Sequence, residues 1–247
     1  MDEKTQAELI VKWLRQQVEN AGAKGVVLGL SGGIDSSLTA VLCKIAFPKN
    51  CLALALPCNS HKLDLAHAKV VAKKFEFELK EINLDKSFKS ILSALGAKGN
   101  EKAREVANIK PRLRMVALYY FANKLDCLVV GTSNKSELAI GYFTKFGDSA
   151  TDLLPLGNLY KGDIKKLAAY LGLPKEILEK PPSAGLWKGQ TDEAELGISY
   201  EQIDTALALI EMGQEDKADP VLVERVKVLM QRATHKRSPA LVCKLEG

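Results

Sequence analysis

The chain has no CxxC pair anywhere, and its five cysteines (Cys43, Cys51, Cys58, Cys127 and Cys243) are an odd number. In 247 residues that argues against a disulfide framework and against a zinc ribbon. Histidine is scarce, with three in all, and His61 and His67 read as helix-surface residues without zinc-ligand spacing. Long apolar runs are missing too. Stretches such as Val116–Ala122 fall far short of the ~18 residues that a membrane helix needs, so no membrane association is expected. The opening MDEKTQAEL is polar and acidic where a signal peptide is basic and then apolar, which leads us to expect a cytoplasmic protein. Net charge is only +5, from 35 basic and 30 acidic residues. That suits an anionic small molecule and is too little to imply nucleic acid.

What remains is an ordinary globular composition, 47% apolar and 26% charged, with a mean hydropathy of −0.05. No repeat, low-complexity tract or linker divides it, so residues 1–247 read as a single domain. Residues 3–20 place Ala7, Ile10, Leu14 and Val18 at helical spacing. Gly25–Leu30 is then a short apolar run, long enough for a buried strand and too short for a helix. A helical segment follows over Ser36–Phe47. The cycle repeats as strand Cys51–Leu56, helix Leu63–Phe75 and strand Phe77–Ile82, then helical stretches at Phe88–Leu95 and Glu101–Asn123. A fourth strand at Cys127–Gly131 leads into a helix that ends at Ile140. Alternating strands and helices predict an α/β fold, an open parallel sheet with helices on both faces.

After Ile140 the periodicity stops. Gly141–Tyr160 and Pro181–Thr191 are glycine- and proline-bearing stretches of a length that, inside a domain, usually marks lids or binding loops. Helices resume at Gly162–Leu171, Tyr200–Glu211 and Pro220–Ala233, the last begun by an Asp219 cap and Pro220.

The stretch Gly29-Leu-Ser-Gly-Gly-Ile-Asp-Ser-Ser37 sits between a strand and a helix. Ser31, Gly32 and Gly33 free the backbone to turn its amides toward a ligand. The helix N-terminus adds the Ser36 and Ser37 hydroxyls and a positive dipole end, a means of holding phosphate. Asp35 inside such a loop would repel phosphate, which suggests a divalent cation between them. The loop lacks the Gly-Lys of a kinase-type P-loop, and the dinucleotide GxGxxG is absent. Gly29-Leu-Ser31-Gly-Gly33 does match a serine-hydrolase elbow, with Asp152 and His235 following in triad order. That reading gives Asp35, Ser36 and Ser37 no task.

The full SGGIDSS string resembles the pyrophosphate loop of the ATP pyrophosphatase superfamily. Along essentially its whole length the chain is similar to the ammonia-dependent NAD synthetases. The matching stretches are Asn108–Met115, Gly131–Glu137, Tyr142–Asp148, Asp152–Leu156, Gln190–Glu193 and His235–Arg237. Pro111, Ser183 and Gly185 stand where that family would lead us to expect alanine, threonine and an acidic residue. A tRNA-modifying adenylating enzyme of the same superfamily is the rival, but the basic surface or paired cysteines it would want are not visible.

The resemblance implies a Rossmann-like sheet of the adenine nucleotide alpha hydrolase type. It implies amidation of deamido-NAD with ammonia, with ATP as co-substrate, Mg²⁺ as cofactor and a homodimer as the assembly. ATP would lie on Gly29, Leu30, Ser31, Gly32, Gly33, Ile34, Asp35 and Ser36, with Thr132, Lys161 and Ser183. Deamido-NAD would meet Arg112, Lys145, Asp152, His235 and Lys236. Asp35 and Glu137, each just beyond a strand end, would share the metal, and Asp148 would trap ammonium. The near-continuous apolar surface of Arg114–Leu125 adds to the expectation of a dimer, because such a helix must be covered on several sides.

Overall fold

Val26, Val27 and Leu28 are wholly buried, as a strand covered on both faces requires. In the computed structural model, which describes every residue except Lys98, Gly99, Glu101, Lys188, Lys244, Glu246 and Gly247, this run is β1 (Gly25–Gly29). It pairs in parallel with β2 (Cys51–Ala55) on one side and β4 (Cys127–Val130) on the other, and β3 (Glu78–Glu81) adds beyond β2. The order is therefore β3-β2-β1-β4. The chain winds outward from β1 in one direction and then crosses to the other side. That reversal opens a crevice at the carboxyl ends of β1 and β4, where ligands bind in open α/β sheets.

Helices α1 (Glu3–Asn20), α2 (Ile34–Ala46) and α3 (Lys62–Lys74) cover one face. Leu14, Leu38, Leu42 and Val71 bury there beside Leu28. The other face is covered by α4 (Asp85–Ala94), α5 (Arg104–Ala107) and α6 (Ile109–Leu125), with Phe88, Val106 and Ala122 against Val27, Leu54 and Val129. The single helical stretch expected over Glu101–Asn123 is thus two helices, and its expected start, Glu101, lies outside the described residues. Pro111 has no N–H to donate and sits in the first turn of α6, where none is needed, so a helix begins afresh at Ile109.

Beyond β4 come α7 (Lys135–Ile140), α8 (Lys161–Tyr170), α9 (Lys175–Leu178) and α10 (Asp192–Leu196). They are followed by α11 (Tyr200–Glu211), α12 (Pro220–Arg232) and α13 (Thr234–Arg237). Helix α8 returns to the first face, while α7, α11 and α12 build a separate cluster around Ile140, Ile203 and Val226. Asp219 caps α12 through Val221 N–H with Pro220 next, as its sequence suggested. Helices α9 and α10 are single turns, too short to show a period.

Two expectations need correction. His67 is buried on α3 and not on the surface, while His61 is an exposed N-cap whose Nδ1 accepts from Leu63 N–H. The stretch 141–160 is irregular but packed, for Leu153 pairs in parallel with Val130 and Leu156 is wholly buried.

Candidate active site

A cavity of about 970 Å³ opens at the crevice, at the upper end of the range for small-molecule sites. Its floor is the glycine loop. Ser36 Oγ donates to the carbonyl of Gly33 at 3.1 Å, accepts from Ser31 N–H at 3.2 Å and lies 2.9 Å from Ser31 Oγ. These bonds close the loop on itself. Gly33 is the N-cap of α2 and has no capping side chain, so the first amides of that 13-residue helix stay available for an anion. Gly32 takes φ +77°, and a Cβ there would fall 2.3 Å from the carbonyl oxygen of Asp64 on α3. The sequence requires glycine at that point for both reasons.

Asp35, Glu137 and Lys161 meet beside the loop. Lys161 Nζ, nearly buried, donates to Asp35 Oδ2 at 2.6 Å and to Glu137 Oε1 at 3.1 Å. Asn134 completes the group, with Nδ2 donating to Asp35 Oδ1 at 2.9 Å. Asn134 is also the N-cap of α7 and forms a capping box with Glu137. One Glu137 oxygen thus fixes the helix start and the other faces the lysine. Ser136 Oγ bonds instead to Asp204 and accepts from Lys161 N–H, and Asp204 also takes Gly162 N–H. That arrangement sets the first turn of α8, and with it Lys161. Burial pushes the Glu137 carboxyl up to about 7, against the pull of Lys161, and the negative Asp35 adds to the rise. The Lys161 ammonium is held well above its ordinary value by the two carboxylates despite its own burial.

Thr132, Ser183, Arg112, Lys145, Asp148, His235 and Lys236 also line this cavity. Arg112 Nη2 bonds to the Lys145 carbonyl at 3.2 Å. Its neighbour Arg114 carries the structural task, tying the Leu56 carbonyl and Ser60 at the end of β2. Lys145 Nζ donates to the His235 carbonyl, and Lys236 Nζ to the carbonyls of Gly141 and Phe143 at 2.7 and 2.9 Å. Asp148 accepts from Thr144 N–H at 2.9 Å. It opens onto the cavity yet is ringed by protein, which raises its carboxyl against the opposing pull of that N–H and of Arg114.

Asp152 stands apart. Its oxygens take Tyr119 OH at 3.0 Å and Val129 N–H at 2.7 Å, outside the cavity wall. Ser31 Oγ pairs with Ser36 and not with an imidazole, so the hydrolase triad of Ser31, Asp152 and His235 is not assembled. Sequence reasoning missed Asn134, although Asn134-Lys-Ser-Glu137 is a legible capping box. It also missed Lys180, a lone lysine from a distant segment that lines the cavity and reaches the glycine loop.

The NAD synthase family model matches residues 6–240. An NH(3)-dependent NAD(+) synthetase of Methanocaldococcus jannaschii is 54% identical over 212 residues, covering 83% of this chain and 80% of its own. The structure of an NMN synthetase from Francisella tularensis superposes with a TM-score of 0.92 at 36% identity, over 99% of this chain and 100% of its own. That of an NH3-dependent NAD synthetase from Campylobacter jejuni gives 0.85 at 33% identity, with the same coverage.

Proposed function

This chain belongs to the NAD synthase family, whose known reaction is the ATP-dependent amidation of deamido-NAD, and on that premise we propose how its own residues carry the reaction. It is a ligase that uses ATP as co-substrate. The nicotinate carboxylate attacks the α-phosphorus of ATP and pyrophosphate departs into the glycine loop. Ammonia then attacks the acyl-adenylate, and AMP leaves as the amide forms. No protein nucleophile is needed, so positioning and charge stabilisation carry the rate. The observation that carries this reading is the meeting of Asp35, Lys161 and Glu137 beside a loop whose amides and hydroxyls suit a leaving pyrophosphate.

Two carboxylates that face one ammonium also face one point that a cation could occupy. Mg²⁺ is usually held by one or two carboxylates with phosphate and water completing its shell, which two carboxylates beside a phosphate loop would allow. Asp35 and Glu137 would hold it, and when bound it would supply neutralising charge to the triphosphate. Lys161, Thr132 and Ser183 would orient the nucleotide. Arg112, Lys145, His235 and Lys236 line one side for deamido-NAD, and Asp148 would receive ammonium.

We further propose a homodimer that covers α6, where Val116 and Tyr120 are each 60% exposed. Tyr119 of α6 donates to Asp152, which lies in the stretch 141–160 beside that helix, so the dinucleotide would reach Asp152 at the interface. Residues 1–247 would act as one catalytic unit in the cytoplasm, where ATP is available.

The Francisella tularensis likeness favours a second reading in which the acid is the mononucleotide and the product NMN. The test is pyrophosphate release with ATP, Mg²⁺ and ammonia against each acid in turn. Higher kcat/KM for deamido-NAD supports the first reading and higher kcat/KM for the mononucleotide the second. No release with either acid overturns both.

A further inference from the structure

Lys180 ends the segment after α9 and directly precedes Pro181-Pro182-Ser183, the start of the second irregular stretch. Its Nζ donates to the carbonyl of Gly32 at 3.2 Å and to Asp64 Oδ1 at 2.7 Å. Asp64 belongs to α3, whose backbone lies so close to Gly32 that a Cβ there would meet Asp64 O, His67 Cβ and Ala68 N within 3 Å. The glycine loop is therefore braced from behind by α3 and gripped at one carbonyl by a lysine from a distant segment.

The peptide joining Gly32 to Gly33 is trans, so its carbonyl and N–H point opposite ways. With the carbonyl turned to Lys180, the Gly33 N–H turns toward Ser31 Oγ, 3.4 Å away, on the wall of the cavity. A Gly-Gly peptide has little steric preference between orientations, because each flanking residue tolerates either sign of φ. Inside the loop the Gly33 N–H makes a long 3.4 Å contact to Ser31 Oγ, and Lys180 adds from outside it a charge-assisted bond that favours the same orientation.

We propose that Lys180 is a positioning residue for the pyrophosphate end of ATP: through the Gly32 carbonyl it holds the Gly33 N–H toward the anion, with Asp64 fixing the lysine in place. This rests on the reading that the glycine loop takes pyrophosphate. Lys180 and Asp64 are only 21% and 24% exposed, so the pair is largely shielded from water and Asp64 holds the lysine in one place. It also links the second irregular stretch to the loop beneath it. A ligand that recruits Ser183 would tighten the same lysine on Gly32.

The experiment compares wild type with Lys180→Met and Lys180→Arg, using titration with magnesium pyrophosphate, steady-state kinetics and thermal denaturation. Lys180→Met should weaken pyrophosphate binding and raise KM for ATP by about tenfold or more, the scale of a lost charge-assisted hydrogen bond. KM for the acid substrate should barely move, and Lys180→Arg should recover most of the loss in pyrophosphate affinity. Asp64→Asn should shift the same two constants in the same direction by less. Unchanged pyrophosphate affinity in Lys180→Met overturns the proposal, and so does a loss in ATP KM matched by an equal loss in acid KM and a fallen melting temperature. Wild type that neither binds nor releases pyrophosphate overturns the underlying reading instead, so the two failures are told apart.

Discussion

The two irregular stretches look alike in sequence and are built differently. In 141–160 the backbone itself is engaged: Gly131 N–H bonds to Leu153 O at 2.8 Å, Asp152 N–H to Val129 O at 2.9 Å and Lys135 N–H to Leu159 O at 2.9 Å. Phe143, Leu153 and Leu156 are buried, and Lys236 clamps the carbonyls of Gly141 and Phe143. In 181–191, of which Lys188 is outside the described residues, the ties are made largely by side chains. Lys110 Nζ reaches Leu186 O at 2.6 Å, Gln190 Oε1 takes Leu186 N–H and Asp192 Oδ1 takes Ala184 N–H. Pro181, Ser183 and Ala184 are exposed. Absence of periodicity therefore has two meanings. The first stretch is core that follows no regular element, and the second is a cover tied mainly by side chains.

The largest effect should come from the floor that both stretches overhang. Asp35→Asn and Glu137→Gln should each lower kcat by about a hundred- to a thousandfold. The double variant should be no worse than the poorer single one if both act on one ion. Additive losses in steady-state assays would mean separate roles.

Glu137 also sets a pH dependence. Its carboxyl is raised from 4.5 to about 7 on folding, so between those values the folded protein holds the proton better than the unfolded chain. Its contribution to stability therefore falls as pH rises through that window and is flat above it. Urea denaturation of metal-free protein at pH 5 and pH 8 should show this slope, and Glu137→Gln should reduce it, leaving the part due to the raised Asp148 and Asp192 carboxyls.

Next in size, Leu156→Ala should cost about 2–5 kcal/mol because it empties a filled site in the first stretch. A melting temperature unchanged by that substitution would return 141–160 to the class of lids. Smaller again, Lys110→Met should leave most of the fold intact and speed hydrogen exchange around Leu186. Least of all, exchange in 183–187 of the wild type should slow when ATP, Mg²⁺ and the acid substrate are added together, while 152–157 should be protected already. Equal exchange in both segments before ligand is added would erase the distinction.

Much of the site was legible because it is local. The strand, glycine turn and helix start of Gly25–Ala46 follow from neighbouring residues, and so does the capped start of α12. Glu137 could be suspected from its place after a strand. Asn134, its partner in the capping box, was missed because it was read only as part of the matching stretch Gly131–Glu137. Lys161 was read as a nucleotide ligand, but its pairing with two carboxylates had no sequence signal. The same holds for Lys180, since a lone lysine before two prolines looks like any solvated charge.

The sequence by itself determined the alternation of strands and helices, the glycine loop at the end of β1 and the acidic and basic residues available to a polyanion. These rest on periodicity, chain stiffness and hydrogen bonding within a few residues. Only the tertiary structure decided that β4 lies beside β1, which brings Asp35 within 2.6 Å of Lys161 across 126 residues of chain. It alone buried His67 against the loop and turned one aperiodic stretch into core and the other into a cover. Each of those outcomes depends on which distant surfaces share the apolar area being removed from water, and no local pattern encodes that choice.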